Sequence, residues 1–149
     1  MSLTLFRDVH VLDVRAGRWL EDHHVLVENG VVREVADRPL RSDSARVVEG
    51  RGRTLMPGLI DCHAHVTFSQ TNLGLLADTA NTTLAYRALP ILRDMLRRGF
   101  TTVRDAGGAD WALKQAIDDG IDGTVTGPRL FVSGPALSPT GGHGDFRPR

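Results

Sequence analysis

Cysteine, lysine and net charge are all scarce in this chain of 149 residues. Cys62 is the single cysteine, so no internal disulfide can form and an oxidising compartment is not implied. Lys114 is the single lysine, and arginine supplies the rest of the basic side. Eighteen basic residues balance eighteen acidic ones, so no net field draws the chain to nucleic acid or to an anionic membrane. The opening "MSLTLFRDVHVLDV" reaches Arg7 and Asp8 early and lacks the apolar centre of a signal peptide. No run approaches the roughly 18 apolar residues that a membrane helix needs. These absences lead to the expectation of a soluble cytoplasmic protein with neither nucleic acid nor membrane among its partners.

What remains is an ordinary globular composition, 41% apolar and 24% charged. Its length allows one modest core. The first 56 residues read as strands. "LTLFRDVHVLDV" alternates and gives way to a tight turn at Arg15 to Gly17. "HHVLVENGVVREVA" reads as a hairpin closed by Asn29-Gly30, a pair suited to a primed turn. "ARVVEGRGRTLMP" offers a further strand or two, broken at Gly50 and Gly52. Helical spacing is absent here, and the segment is expected to form part of a β-sandwich.

At Pro57-Gly58 the pattern changes. "LIDCHAHV" reads as a short apolar strand, and residues 79 to 98 carry Leu84, Ala88, Ile91, Leu92, Met95 and Leu96 at helical spacing. Pro90 should kink or interrupt that helix, and Gly99 should end it. "FTTVRDAG" is a second strand and "ADWALKQAIDDG" a short helix capped by Asp110 and stopped at Gly120. "PRLFVSG" is a third strand. This rhythm is that of parallel βαβ units. Three strands and two helices close nothing, because a (β/α)8 barrel takes about 250 residues. The choice is between a small open α/β sheet and the front end of a larger barrel.

"PGLIDCHAHV" raises the question of a metal. Side chains two apart on a strand share a face, their α-carbons separated by about 6.6 to 6.8 Å. Unbroken alternation therefore sets Asp61, His63 and His65 on one face and Ile60, Cys62 and Ala64 on the other. Buried polar groups need partners, and a cation is a common one for neutral imidazoles. A bare His-X-His also arises by chance. The strand, the Pro-Gly entry and the following βα unit are what favour a site here. His23 and His24 are adjacent and point apart on a strand, while His10 stands alone.

"GRTLMPGLIDCHAHV", "LRRGFTTVRDAGG" and "GPRLFVSGPALSPTGGHGD" together resemble the amidohydrolase superfamily, in its imidazolonepropionase-like, Xaa-Pro dipeptidase-like branch. The resemblance implies an N-terminal β-sandwich segment (1–56) followed by the first three β-strands and two helices of an incomplete (β/α)8 TIM barrel (57–149). It implies that His63 and His65 bind a divalent metal, usually zinc, as one ion or two. It also implies that His143, in the glycine-rich tail, contacts a substrate carbonyl. The reaction implied is hydrolysis of an amide-like C–N bond in a small-molecule or dipeptide-like substrate by metal-activated water.

The family's other ligands, a lysine, two histidines and an aspartate from later strands, have no counterpart here. Lys114 lies in the second predicted helix and reads as a solvated face residue. Catalytic zinc ordinarily takes three protein ligands, so the chain alone is expected to be inactive. The rival expectation is a catalytically incomplete binding module that needs a partner chain, a missing C-terminal portion or a homo-oligomer to complete the barrel. Arg104 or Asp105, at the end of the second strand, is expected to pair with Asp61 across the strands, in a structural or a catalytic role, and Cys62 is expected to be an inert thiol buried against the helices.

Overall fold

A computed structural model describes residues 2–120, 123–142 and 145. The chain divides into two compact units, Met1–Pro57 and Gly58–Arg149.

The first unit is a four-stranded sheet of β1 (Leu3–Asp13), β2 (Arg18–Glu28), β3 (Val31–Ala36) and β4 (Arg46–Leu55), in the order β3-β2-β1-β4. β1 runs antiparallel to β2 and parallel to β4, and β2 runs antiparallel to β3. The hairpin between β2 and β3 turns at Asn29 and Gly30, with φ of 49° and 80°. Both central residues thus adopt the positive φ that matches the twist of the strands they join. Gly50 and Gly52 do not break β4, contrary to expectation. They lie where the pairing with β1 slips, Arg7 facing Glu49 and Val9 facing Arg53, so the extra residues bulge out of a continuous strand. Leu5, Ala36 and Leu40 form a small buried cluster.

The second unit is a three-stranded parallel sheet in the order β5-β6-β7, formed by Leu59–Ala64, Phe100–Asp105 and Arg129–Val132. Three helices accompany it: α1 (Leu73–Ala77), α2 (Asn81–Arg97) and α3 (Trp111–Asp119). Ala88, Leu92 and Met95 of α2 and Leu113 and Ile117 of α3 close over Val66, Val103, Ala109 and Leu130. Full burial of a side chain such as Leu92 is worth about 1.5–3 kcal/mol. The Asp110 carboxylate accepts the Leu113 N–H at 3.0 Å and caps α3, and Gly120 terminates it.

Pro90 does not interrupt α2, which runs through it. Its ring and Tyr86, whose carbonyl loses a partner, both lie on the exposed face. The lost bond therefore meets solvent while the opposite face stays packed. α1 has no counterpart in the sequence reading. It starts at Asn72, whose side chain accepts the Leu75 N–H at 3.2 Å. No helix among the described residues is long and apolar enough to cross a membrane.

Candidate metal centre and its relatives

The two imidazoles converge. The rings of His63 and His65 lie 5.3 Å apart between centroids and nearly perpendicular, at 81°. His65 Nδ1 lies 3.0 Å from the carbonyl oxygen of Gly107. A carbonyl can only accept, so Nδ1 carries the proton and Nε2 keeps its lone pair for a ligand. Phe68 stacks on the same ring at 4.5 Å and 14°. One imidazole is thus fixed by an edge contact and a face contact before any ion arrives.

The strand carrying the pair is not regular. Asp61 pairs with Val103 and Ala64 with Asp105, so three steps along β5 match two along β6. That slip breaks the alternation on which two expectations rested. Asp61, which alternation placed on the face of the two histidines, has its carboxylate accepting the backbone N–H of His63 at 3.0 Å. Cys62 is exposed rather than buried against the helices, because the slip removes it from the strict period and β5 is an edge strand. Arg104 does not pair with Asp61 but donates from Nε to the Cys62 carbonyl at 2.6 Å.

The most heavily bonded side chain near the pair is Asp105, expected as the alternative partner of Asp61 but bonded instead to backbone N–H groups. It is fully buried. One oxygen accepts the N–H of Val66 at 2.8 Å. The other accepts those of Gly107 and Ala109, at 2.9 and 3.0 Å. A buried carboxylate is costly unless its oxygens are bonded, and here they take three backbone donors. Two signals in the sequence pointed to it: Asp105 shares the strand parity of Val103, and two glycines follow close behind.

His23 and His24 have contacts of their own within the first unit. His23 Nδ1 lies 2.6 Å from the Glu21 carbonyl, and His24 accepts the Asp8 N–H at 3.4 Å. Lys114 pairs with Asp118 and sits 5.6 Å from the centre of the Trp111 ring, a helix-surface arrangement. His143 lies outside the described residues. Among the described residues no group of three or more histidine, cysteine or acidic side chains could hold a metal. Two imidazoles with a preset nitrogen fit part of a divalent-metal site, one short of the ligand count of catalytic zinc.

Two clefts lie nearby. One of about 360 Å³ runs between α2 and α3, lined by Ala85, Tyr86, Leu89 and Ala116 among others, and includes neither imidazole. Another, of about 300 Å³, has Phe68 and Gly107 in its wall, the two residues that touch His65. Neither imidazole lines the second cleft, which meets the pair only through those two neighbours.

Residues 54–148 match the model of the amidohydrolase family; the chain belongs to that family. It is 38% identical over 97 residues to ochratoxinase of Aspergillus niger, covering 62% of this chain and 19% of that protein. Imidazolonepropionase of Pseudomonas putida (strain GB-1) is 32% identical over 77 residues, covering 48% of this chain and 19% of that one. Among solved structures, a prolidase complexed with N-methylphosphonate-L-proline is 53% identical over 99% of this chain, with a TM-score of 0.89. The chain spans 36% of that prolidase. It is thus similar to about a fifth to a third of the length of these relatives.

Proposed function

We propose that this chain supplies the N-terminal part of a metal-dependent amidohydrolase that cleaves an amide-like C–N bond. In this reading residues 1–56 belong to a β-sandwich. Residues 57–149 provide the first three strands and two helices of a (β/α)8 barrel. The observation that carries the reading is the His63–His65 pair, next to the C-terminal end of β5, the end at which barrel chemistry sits.

His63 and His65 would hold a divalent ion, with zinc the first candidate. Such an ion, when bound, polarises a carbonyl and makes a water-derived nucleophile available at neutral pH. The chain's own contribution is orientation. Gly107 and Phe68 fix the His65 ring, so the ligand nitrogen is presented without reorganisation. His143 would meet the substrate carbonyl from the glycine-rich segment after β7. Further ligands would come from residues beyond this chain, and the 149 residues alone would not hydrolyse substrate.

The similarity to a prolidase crystallised with a phosphonate analogue bearing L-proline makes Xaa-Pro dipeptides and N-acyl amino acids the first substrates to try. The enzyme is read as cytoplasmic and as acting on small molecules. Metal analysis of the intact protein, with a screen of both substrate classes before and after chelation, tests this. The expected result is stoichiometric divalent metal and chelator-sensitive release of the amino acid. A metal-free protein, or turnover indifferent to chelation, overturns the reading.

A further inference from the structure

We infer that Asp105 is the positioning residue of the metal centre. It holds the backbone on both sides of His65, so that Nε2 is presented to the ion. The inference rests on the metal-centre reading above and goes beyond it, since among the described residues no third acidic or histidine side chain, Asp105 included, groups with the two imidazoles to hold a metal.

Val66 directly follows His65, so the bond from its N–H to Asp105 fixes where the His65 ring begins. Gly107 carries the carbonyl that accepts from His65 Nδ1, so the bond from Gly107 N–H to Asp105 fixes where the ring points. One carboxylate therefore sets both the root and the aim of the imidazole. The ring's two constraints, from residues far apart in sequence, meet in a single side chain.

The loop itself has no slack. Ala106 N–H bonds to the Ala64 carbonyl at 2.8 Å, and Gly108 N–H to the Gly134 carbonyl at 3.0 Å. With the two bonds to Asp105, every backbone N–H from residue 106 to 109 has an acceptor. The loop adopts φ of 155° at Gly107 and 117° at Gly108, values L side chains rarely take. A Cβ at Gly108 would lie 2.3 Å from Thr67 Oγ1, and one at Gly107 would lie 2.9 Å from Ala136 Cβ. A loop this constrained is an expensive way to end a strand but a sound way to hold one carbonyl oxygen still. The partner of a metal-binding histidine's second nitrogen sets ring orientation and basicity, and its loss typically costs about 10–100-fold in affinity.

Asparagine is the informative replacement. It keeps the shape but offers one acceptor oxygen, and its NH2 must face at least one of the three N–H donors. In the intact protein, Asp105→Asn should weaken zinc binding by about 10–100-fold in chelator competition. Hydrogen exchange should accelerate in the segments around Val66 and around residues 106–109. Leu92→Ala, a core change elsewhere in the unit, should leave zinc affinity within about twofold even if it lowers stability as much. Equal losses in the two variants would assign Asp105 a merely structural role and overturn the inference, as would unchanged affinity in Asp105→Asn.

The unsubstituted protein gives a second arm that does not depend on the variant folding. Nitrogen NMR of the metal-free, 15N-histidine-labelled protein should find His65 held as the Nδ1–H tautomer. Tautomers averaging as in free histidine would overturn the inference. A held His65 in a protein that takes no metal would instead count against the metal centre, leaving Asp105's hold on the ring intact.

Discussion

Both units carry exposed ion pairs, but among the described residues only the second buries a carboxylate. In the first, acidic groups sit in surface ion pairs: Arg7 with Glu49, Arg33 with Glu28 and Arg38 with Glu34. Such exposed pairs contribute little, typically about 0–1 kcal/mol each. In the second, Asp105 is wholly buried and tied to three backbone donors. The cores differ likewise. Among the described residues, three buried side chains make up the cluster of the first unit, while nine from strands, helices and loops make up that of the second. The first unit is specified by turns and strand pairing. The second buries a larger cluster and brings two imidazoles together at the end of β5.

The comparison can be broken most forcefully at the imidazoles. His65→Ala should lower divalent-metal affinity of the intact protein by more than the roughly 100-fold that loss of an outer partner costs. His24→Ala in the first unit should change it by less than about twofold. Chelator competition measures both, and similar losses would erase the distinction between the units.

Core depth is the next target. Leu92 and Leu5 are both fully buried. Leu92→Ala, in the larger cluster, should cost about 3–5 kcal/mol and Leu5→Ala about 2–3 kcal/mol, since a thin cluster collapses more readily around a cavity. Hydrogen exchange read separately in each unit is the check, because a chain of two units need not unfold in one step. The reverse order would mean that burial in the first unit is better supported than its small cluster indicates.

Local signals give smaller effects. Gly30→Ala, at φ of 80°, should destabilise the β2–β3 hairpin by about 1–2 kcal/mol. Asp110→Ala should cost about 1 kcal/mol by uncapping α3. Arg38→Ala, removing an exposed ion pair, should change stability by less than about 1 kcal/mol. Thermal melts of the three variants rank them, and a larger loss from Arg38→Ala than from Gly30→Ala would upset the account of the first unit.

What could be read from the sequence follows the same division between local and long-range causes. The Asn29-Gly30 turn, the Asp110 cap and the Gly120 stop are local chemistry, and the structure has them where the residues indicate. The strands of the second unit were legible from β-branched residues between turn signals. α1 was missed although Asn72 offered a cap, because a single turn carries too little periodicity to register. Of the two outcomes expected at Pro90, interruption does not occur, because its cost depends on which helix face meets solvent, a tertiary fact. Cys62 and Asp61 were misplaced because alternation assumes an unbroken register, and the slip between Asp61 and Ala64 is set by pairing with a strand some forty residues away. His63 and His65 were singled out from their spacing and the family resemblance, yet the hold of Gly107 and Phe68 on His65, and of Asp105 on the backbone around it, could not be read from that spacing.

The most direct test is a crystal structure of the intact protein grown with zinc, with data collected on both sides of the zinc absorption edge. An anomalous peak about 2.0–2.1 Å from a ring nitrogen of His63 and from Nε2 of His65, with His65 Nδ1 still on the Gly107 carbonyl, is the predicted result. A zinc peak elsewhere, or rings turned away from each other with no ion between them, would contradict it.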